Sequence, residues 1–222
     1  CVGVAARNAK PFVIPELKEW QGKDGAFVPS EKTCIVYGNV ALQSIAEAFA
    51  ADWKEMFGNA LQVKAGKPQA GDFYLTLKKD KKLGKEGYAI AVAKYVTVSA
   101  PETTGVYWAT RTLLQIGEQS DNHALPHGTV RDWPDYSVRG FMMDCGRKFI
   151  PMAYMRDLVK MMSYYKMNVL QGHLNDNGFK QFFGHDWSKT YAAFRLECET
   201  FPGLTARDGY YTKREFVDFQ LD

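Results

Sequence analysis

The residues of this chain best placed to do chemistry are Asp144, Arg147, His173, Asp176 and Asn177, all within RGFMMDCGRKFIPMAYMRDLVKMMSYYKMNVLQGHLNDNGF, from Arg139 to Phe179. They sit at the ends of two apolar runs. Val138 to Met143 is the first and leads into Asp144, with Arg147 just beyond. Met167 to Leu174 is the second, with His173 near its end and Asp176 and Asn177 following. Between them the spacing predicts a helix that Pro151 opens at its first position, with Met155, Leu158, Val159 and Met162 on one face at i, i+3, i+4, i+7. Strand, helix, strand in this order is one βαβ crossover of a parallel sheet. In a (β/α)8 barrel, polar residues just past the carboxyl ends of the strands form the active-site face, so these positions predict an enzyme site.

Two domains must position that stretch. Residues 1–130 alternate short β-rich runs, Thr33 to Tyr37, Asp72 to Leu77, Tyr88 to Ala93 and Tyr95 to Ser99, with two amphipathic helices. The first helix, Val40 to Phe57, carries Leu42, Ile45, Ala46, Phe49, Trp53 and Met56 on one stripe; the second, Pro101 to Gly117, carries Val106, Ala109, Thr110, Leu113 and Leu114. Helices on one side of a mostly antiparallel sheet, with a hairpin about Ala93 and Lys94, give a small two-layer α+β domain that looks structural rather than catalytic. Arg131, Asp132, Trp133 and Pro134 read as the joint. Residues 131–222 then hold the first β/α units of a truncated (β/α)8 TIM barrel, since Ser137 to Asp222 has room for two such units and a complete barrel takes ~250 residues. Thr212 and Glu215 form a T-x-x-E capping box, with Phe216 and Phe219 beginning the apolar face of the next helix. The long loop from Asn177 to Tyr211 carries Phe179, Phe182, Phe183, Trp187, Phe194 and Phe201, which suit either stacking on a ligand or a self-packed loop core.

Composition excludes several classes. A hydrophobic share of 46% with 24% charged residues is that of an ordinary globular protein, and a net charge of +3 is too mild to imply a nucleic-acid partner. Lys78, Lys79, Lys81, Lys82 and Lys85 read as a solvated hairpin loop rather than a polyanion site. No run approaches the ~20 apolar residues of a membrane span. Cys1, Cys34, Cys145 and Cys198 have no metal-ligand spacing, and no metal or other cofactor is expected. Cys34 reads as a buried free thiol; Cys145, beside the presumed site, reads as a small residue filling a barrel loop in preference to a reactive thiol. A chain beginning with Cys1 matches either an arbitrary boundary or the lipidated amino terminus of a processed bacterial lipoprotein, exported to the periplasm or anchored in the outer membrane.

The pattern RG-x-M-x-D-x-x-R, a helix, then Y-K-x-N-x-L-x-x-H-L-x-D-x-G-aromatic resembles the start of the catalytic barrel of glycoside hydrolase family 20, the β-N-acetylhexosaminidases. Arg139, Gly140, Met142, Asp144, Arg147, Pro151, Tyr164, Lys166, Asn168, Leu170, His173, Leu174, Asp176 and Gly178 carry the match. Gln171, Asn177 and Phe179 depart from it, standing where the family often has His, a second Asp and Trp. A looser likeness of the first half to the family's N-terminal domain rests on the order of elements.

The resemblance implies substrate-assisted retaining hydrolysis, in which the substrate's 2-acetamido oxygen attacks the anomeric carbon, and release of terminal N-acetylglucosamine or N-acetylgalactosamine from glycans. An Asp-Glu pair in a later barrel loop supplies the acid. No Asp-Glu dipeptide occurs in these residues, so no catalytic acid is expected in this chain, which is expected to need the remainder of the barrel and to be inactive alone. Arg147 matches the arginine that grips the 3- and 4-hydroxyls, Asp176 the carboxylate behind the general acid. As supporting residues, His173 reads as a satisfied core histidine, Asp144 and Arg139 as bracing the first strand and loop together, and Asn177 as lying beside Asp176. The competing reading is a non-catalytic carbohydrate-binding or scaffold protein of the same descent.

Overall fold

Alternation of apolar residues sets the centre of the first layer: YAIAV and VTVSA bury every second side chain, and each has room for only one covered face. The structure, a computed structural model, describes residues 7–189, 192–201 and 203–221. Cys1, on which the lipoprotein expectation rests, lies outside them, as do the side chains of Phe182 and Trp187. The chain divides into two compact units, Cys1–Ser137 and Val138–Asp222.

The first unit is one seven-stranded sheet with two helices. Its strands are β1 (Glu19–Phe27), β2 (Cys34–Tyr37), β3 (Gln62–Ala65), β4 (Phe73–Leu77), β5 (Tyr88–Val92), β6 (Val96–Ala100) and β7 (Leu125–Asp132), in the order β1-β7-β5-β6-β4-β2-β3. β2 pairs in parallel with β3 and β4, and β4 with β6; the other pairs are antiparallel. The sheet is therefore mixed, not mostly antiparallel. Helix α1 (Gln43–Phe57) is the crossover that the parallel β2 and β3 require. The lysine-rich segment is not a hairpin loop, because β6 lies between β4 and β5. Its five lysines are exposed, while Leu83 anchors the loop in the core.

Helix α1 lays Phe49 and Trp53 on Phe73 of β4, with ring centroids 5.3 Å apart for each pair. Met56, expected on that stripe, is exposed. Helix α2 (Thr103–Gly117) is buried around most of its circumference, and Gly105 allows its contact with the chain: a Cβ there would lie 2.3 Å from the Gly87 carbonyl oxygen. Cys34 is a buried free thiol, as read from the sequence. Arg131 and Asp132 are not a linker; they end β7, so the expected boundary at 130 falls inside a strand and the units part after Ser137. The buried Asp132 carboxylate accepts from the Tyr88 hydroxyl at 2.5 Å and the Lys18 amide at 3.2 Å. Burial, and then the Asp132 charge, push the Tyr88 phenol well above its ordinary pKa.

The second unit opens with β8 (Gly140–Asp144), α3 (Met152–Tyr164) and β9 (Val169–His173), the strands paired in parallel with Asp144 opposite His173. This is the crossover the spacing predicted. Pro151 keeps an extended ψ of 147° and so stands just before the first helical residue, not inside it. Met155 and Met162 of the α3 stripe are buried, whereas Val159 is exposed. Arg139 hydrogen-bonds the Lys166 carbonyl at 2.7 Å, at the opposite end of β8 from Asp144, so the two do not brace one loop together. The capping box is complete at α4 (Lys213–Leu221). The Glu215 amide donates to Thr212 Oγ1 at 3.1 Å and the Thr212 amide to Glu215 Oε2 at 2.9 Å, while Phe216 and Phe219 pack on Cys145, Met155 and Tyr211. Thr212→Ala is expected to lower stability by about 1 kcal/mol, read as a shift of the denaturant midpoint. An unchanged midpoint would show that packing of the two phenylalanines alone holds the helix.

Candidate functional site

Where β8 ends, the chain turns at Cys145 and Gly146, whose amides both donate to the His173 carbonyl, at 3.0 and 2.8 Å. Only glycine suits the turn. A Cβ on Gly146 would lie 2.7 Å from the Asn175 carbonyl carbon and 2.8 Å from the Asp176 nitrogen. That close approach brings Arg147 beside the residues that follow β9. Its guanidinium is 2.7 Å from Asp144 Oδ2 on one side and 2.7 Å from Asp176 Oδ2 on the other. The Arg147 amide also donates to Asp144 Oδ1 at 3.0 Å, and the ring of Phe179 lies 5.7 Å from the guanidinium carbon. Asp176 is held by His173 Nε2 at 3.0 Å and by the Asn177 amide at 2.7 Å.

Four of the five residues singled out from the sequence thus form one connected network, and Asn177 joins it through its backbone. His173 differs from expectation: it is satisfied, but with its side chain 37% exposed it belongs to the rim and not to the core. The Arg147 side chain is 38% exposed, so a ligand at the rim reaches a planar fork of donors already aligned by two carboxylates. The hydrogen bond from His173, then the Asn177 amide, hold the Asp176 carboxyl below its ordinary pKa. For Asp144, burial pulls upward, but the Arg147 amide and guanidinium together outweigh it and the carboxyl is lowered. Both are anions at neutral pH.

Beneath this rim lies a residue that no spacing announced. Arg195, 1% exposed, uses all five guanidinium N–H groups. Nε donates to the Cys145 carbonyl at 2.8 Å. One terminal nitrogen reaches Asp208 Oδ1 at 2.6 Å and the Gly209 carbonyl at 2.9 Å; the other reaches the Gly146 carbonyl at 3.1 Å and Asp208 Oδ2 at 3.3 Å. Tyr211, also buried, donates to the Ile150 carbonyl at 2.5 Å, and burial pushes its phenol pKa up. Burial likewise raises the Cys145 thiol, which is packed with Met155 and is not a reactive thiolate.

The long loop contains short regular elements. Its start, β10 (Asn175–Asn177), pairs antiparallel with β11 (Ala192–Phe194), and short 3-10 turns cover Lys180–Phe183 and Trp187–Lys189. Phe183 packs over Gly178, where a Cβ would meet its ring at 2.6 Å, whereas Phe179 and Phe201 are exposed. No group of three or more His, Cys, Asp or Glu side chains able to hold a metal occurs among the described residues.

Because both carboxyl pKa values are lowered by folding, their contribution is complete above the unfolded carboxylate value and is lost as pH falls through the folded ones. The thermal midpoint should therefore drop between about pH 5 and pH 2, and less steeply in Asp144→Asn. Equal acid slopes in the two proteins would show that the Asp144 pair adds nothing to the fold.

The comparisons agree across both units. Residues 10–133 match Glycosyl hydrolase family 20, domain 2, and residues 136–218 match Glycosyl hydrolase family 20, catalytic domain. A β-hexosaminidase of Vibrio furnissii is 28% identical over 87% of this chain and 29% of its own length, and one of Porphyromonas gingivalis is 25% identical over 93% and 28%. The chain thus spans under a third of these relatives. In fold it is similar to the β-N-acetylhexosaminidase of Streptomyces coelicolor A3(2), with a TM-score of 0.80 at 21% identity over 97% of this chain and 44% of that one. The N-acetyl-β-hexosaminidase of Streptomyces plicatus gives 0.77 at 22%, over 96% and 44%. With a parallel β8-α3-β9 crossover carrying a braced arginine at its rim, and with both family regions matched in order, the chain belongs to glycosyl hydrolase family 20.

Proposed function

We propose that this chain is part of a β-N-acetylhexosaminidase that releases terminal N-acetylglucosamine or N-acetylgalactosamine from glycans by substrate-assisted retaining catalysis. The observation that carries the reading is the half-exposed Arg147 guanidinium, braced by Asp144 and Asp176 just past the ends of two parallel strands. A planar fork fixed in orientation suits two neighbouring hydroxyls of a pyranose, here the 3- and 4-hydroxyls. Asp176, shared between Arg147 and His173, would sit behind the general acid and hold its charge. The 2-acetamido oxygen would act as nucleophile, forming the oxazolinium ring, with an Asp-Glu pair to polarise it and to protonate the leaving oxygen.

No Asp-Glu dipeptide occurs in the 222 residues. That pair would come from further barrel strands, which would also cover Phe141, Met142 and Val169, apolar residues exposed on β8 and β9. The second reading, a carbohydrate-binding member of the family without hydrolytic power, would differ in lacking that pair in the further strands.

The 222-residue chain assayed on an aryl N-acetyl-β-glucosaminide is expected to show no turnover, since general acid catalysis alone contributes ~10² to 10⁴-fold. Hydrolysis at ordinary enzyme rates would overturn the placement of the acid outside it. In a longer protein containing this chain, Arg147→Lys should lower kcat/KM by roughly ten- to a hundredfold, with a smaller effect on the thermal midpoint. Unchanged kcat/KM with a large loss of stability would make Arg147 a structural ion-pair residue.

A further inference from the structure

We infer that Arg195 is the positioning residue for the Arg147 guanidinium: it never meets the sugar, but it sets where the sugar-gripping fork stands. The inference rests on the proposed role of Arg147 and adds to it a residue that neither the spacing nor the family motif singled out.

Two of the groups bound by Arg195 are the carbonyls of Cys145 and Gly146, the two residues immediately before Arg147. The amides of the same two residues are held from the other side by the His173 carbonyl. The turn that delivers Arg147 is therefore fastened along both edges, through its N–H groups to the end of β9 and through its C=O groups to Arg195. With its polar backbone groups fixed, the direction in which the chain enters Arg147 is fixed too. The clamp is itself anchored. The Arg195 amide donates to the Leu174 carbonyl at 2.8 Å, and its carbonyl accepts from the Tyr211 amide at 2.6 Å. On the far side, Asp208 and Gly209 complete the guanidinium's partners. Gly209 has φ 140°, and a Cβ there would lie 2.4 Å from the Phe149 ring, so this segment has one backbone path available to it. At 1% exposure Arg195 has no route to a ligand at the rim, and any effect on substrate must pass through the Cys145–Gly146 turn.

Lysine tests the idea because it keeps the charge and has three donors in place of five, without the planar fork. In the longer protein, Arg195→Lys should raise KM about tenfold with kcat little changed, the signature of binding lost equally from ground and transition states. In an Arg147→Lys background the same substitution should change KM little, because the group it positions is already gone. In the 222-residue chain, Arg195→Lys should speed hydrogen exchange of the Gly146 and Arg147 amides, leaving those of α2 unchanged. Additive effects in the double variant, or an unchanged KM with a lowered thermal midpoint, would overturn the inference and leave Arg195 a purely structural residue. Should Arg195→Lys not fold, Asp208→Asn removes a single charge at the clamp's exposed end and is expected to raise KM by a smaller factor; an unchanged KM there also overturns it. If Arg147→Lys alone leaves kcat/KM unchanged, the sugar-site reading fails, while amide exchange still reports whether Arg195 holds the turn.

Discussion

A guanidinium removed from water must have every donor answered, because an uncompensated buried charge costs several kcal/mol. In the second unit that requirement falls on Arg195, and much of the local chain path follows from it. Cys145 and Gly146 on one segment and Asp208 and Gly209 on another must converge on a single planar fork. Neither glycine has space for a side chain: Gly146 lies against the Asn175 and Asp176 backbone and Gly209 against the Phe149 ring. The Phe149 ring lies 6.0 Å from the Arg195 carbon, and Cys145, whose carbonyl the fork binds, packs with Met155 and Tyr211, whose hydroxyl ties down the Ile150 carbonyl. The apolar cluster and the charged clamp thus meet at Cys145, which is buried in the one and bound through its carbonyl by the other.

Arg195 and Arg147 divide the work by exposure. Arg195 is buried and saturated, so it specifies geometry. Arg147 is half exposed and lies between two carboxylates, which fix its direction without sealing it from a ligand. The carboxylates are themselves tuned, Asp176 by His173 and Asp144 by the backbone and side chain of Arg147, so all three charges persist together near neutral pH. Such a rim has its polar groups aligned in advance of any ligand, which is how preorganised sites limit the ordering cost of binding. In the first unit a carboxylate is buried outright: Asp132 accepts from the Tyr88 hydroxyl and the Lys18 amide at the end of β7.

Local patterns were readable directly. The helices α1, α2 and α3, the central strands β5 and β6, the β8-α3-β9 crossover and the Thr212–Glu215 capping box all depend on residues a few positions apart, and periodicity or a two-residue motif carries that information. The network of Asp144, Arg147, His173 and Asp176 was legible for the same reason, since its members follow consecutive strands that a single crossover sets side by side. Edge strands were not. β1 carries two glycines and a register shift, β3 is QVKA with mostly exposed side chains, and neither buries enough of one face to alternate. Nor could alternation say that β4 would pair in parallel with β2 and β6, because period two is the same in either direction.

The sequence by itself determined which residues would be helical, which would follow the ends of two parallel strands and which family motif they compose, because each of those properties is set within a few turns of chain. Tertiary structure alone decided that Arg195 would meet Cys145, 50 residues away, and Asp208, 13 residues away, and that Asp132 would end a strand buried against Tyr88, 44 residues away. An arginine, an aspartate and a glycine at such separations look like any solvated loop residues. They acquire a role only when the fold excludes water around the Arg195 guanidinium, for it is desolvation that makes each donor seek one particular acceptor.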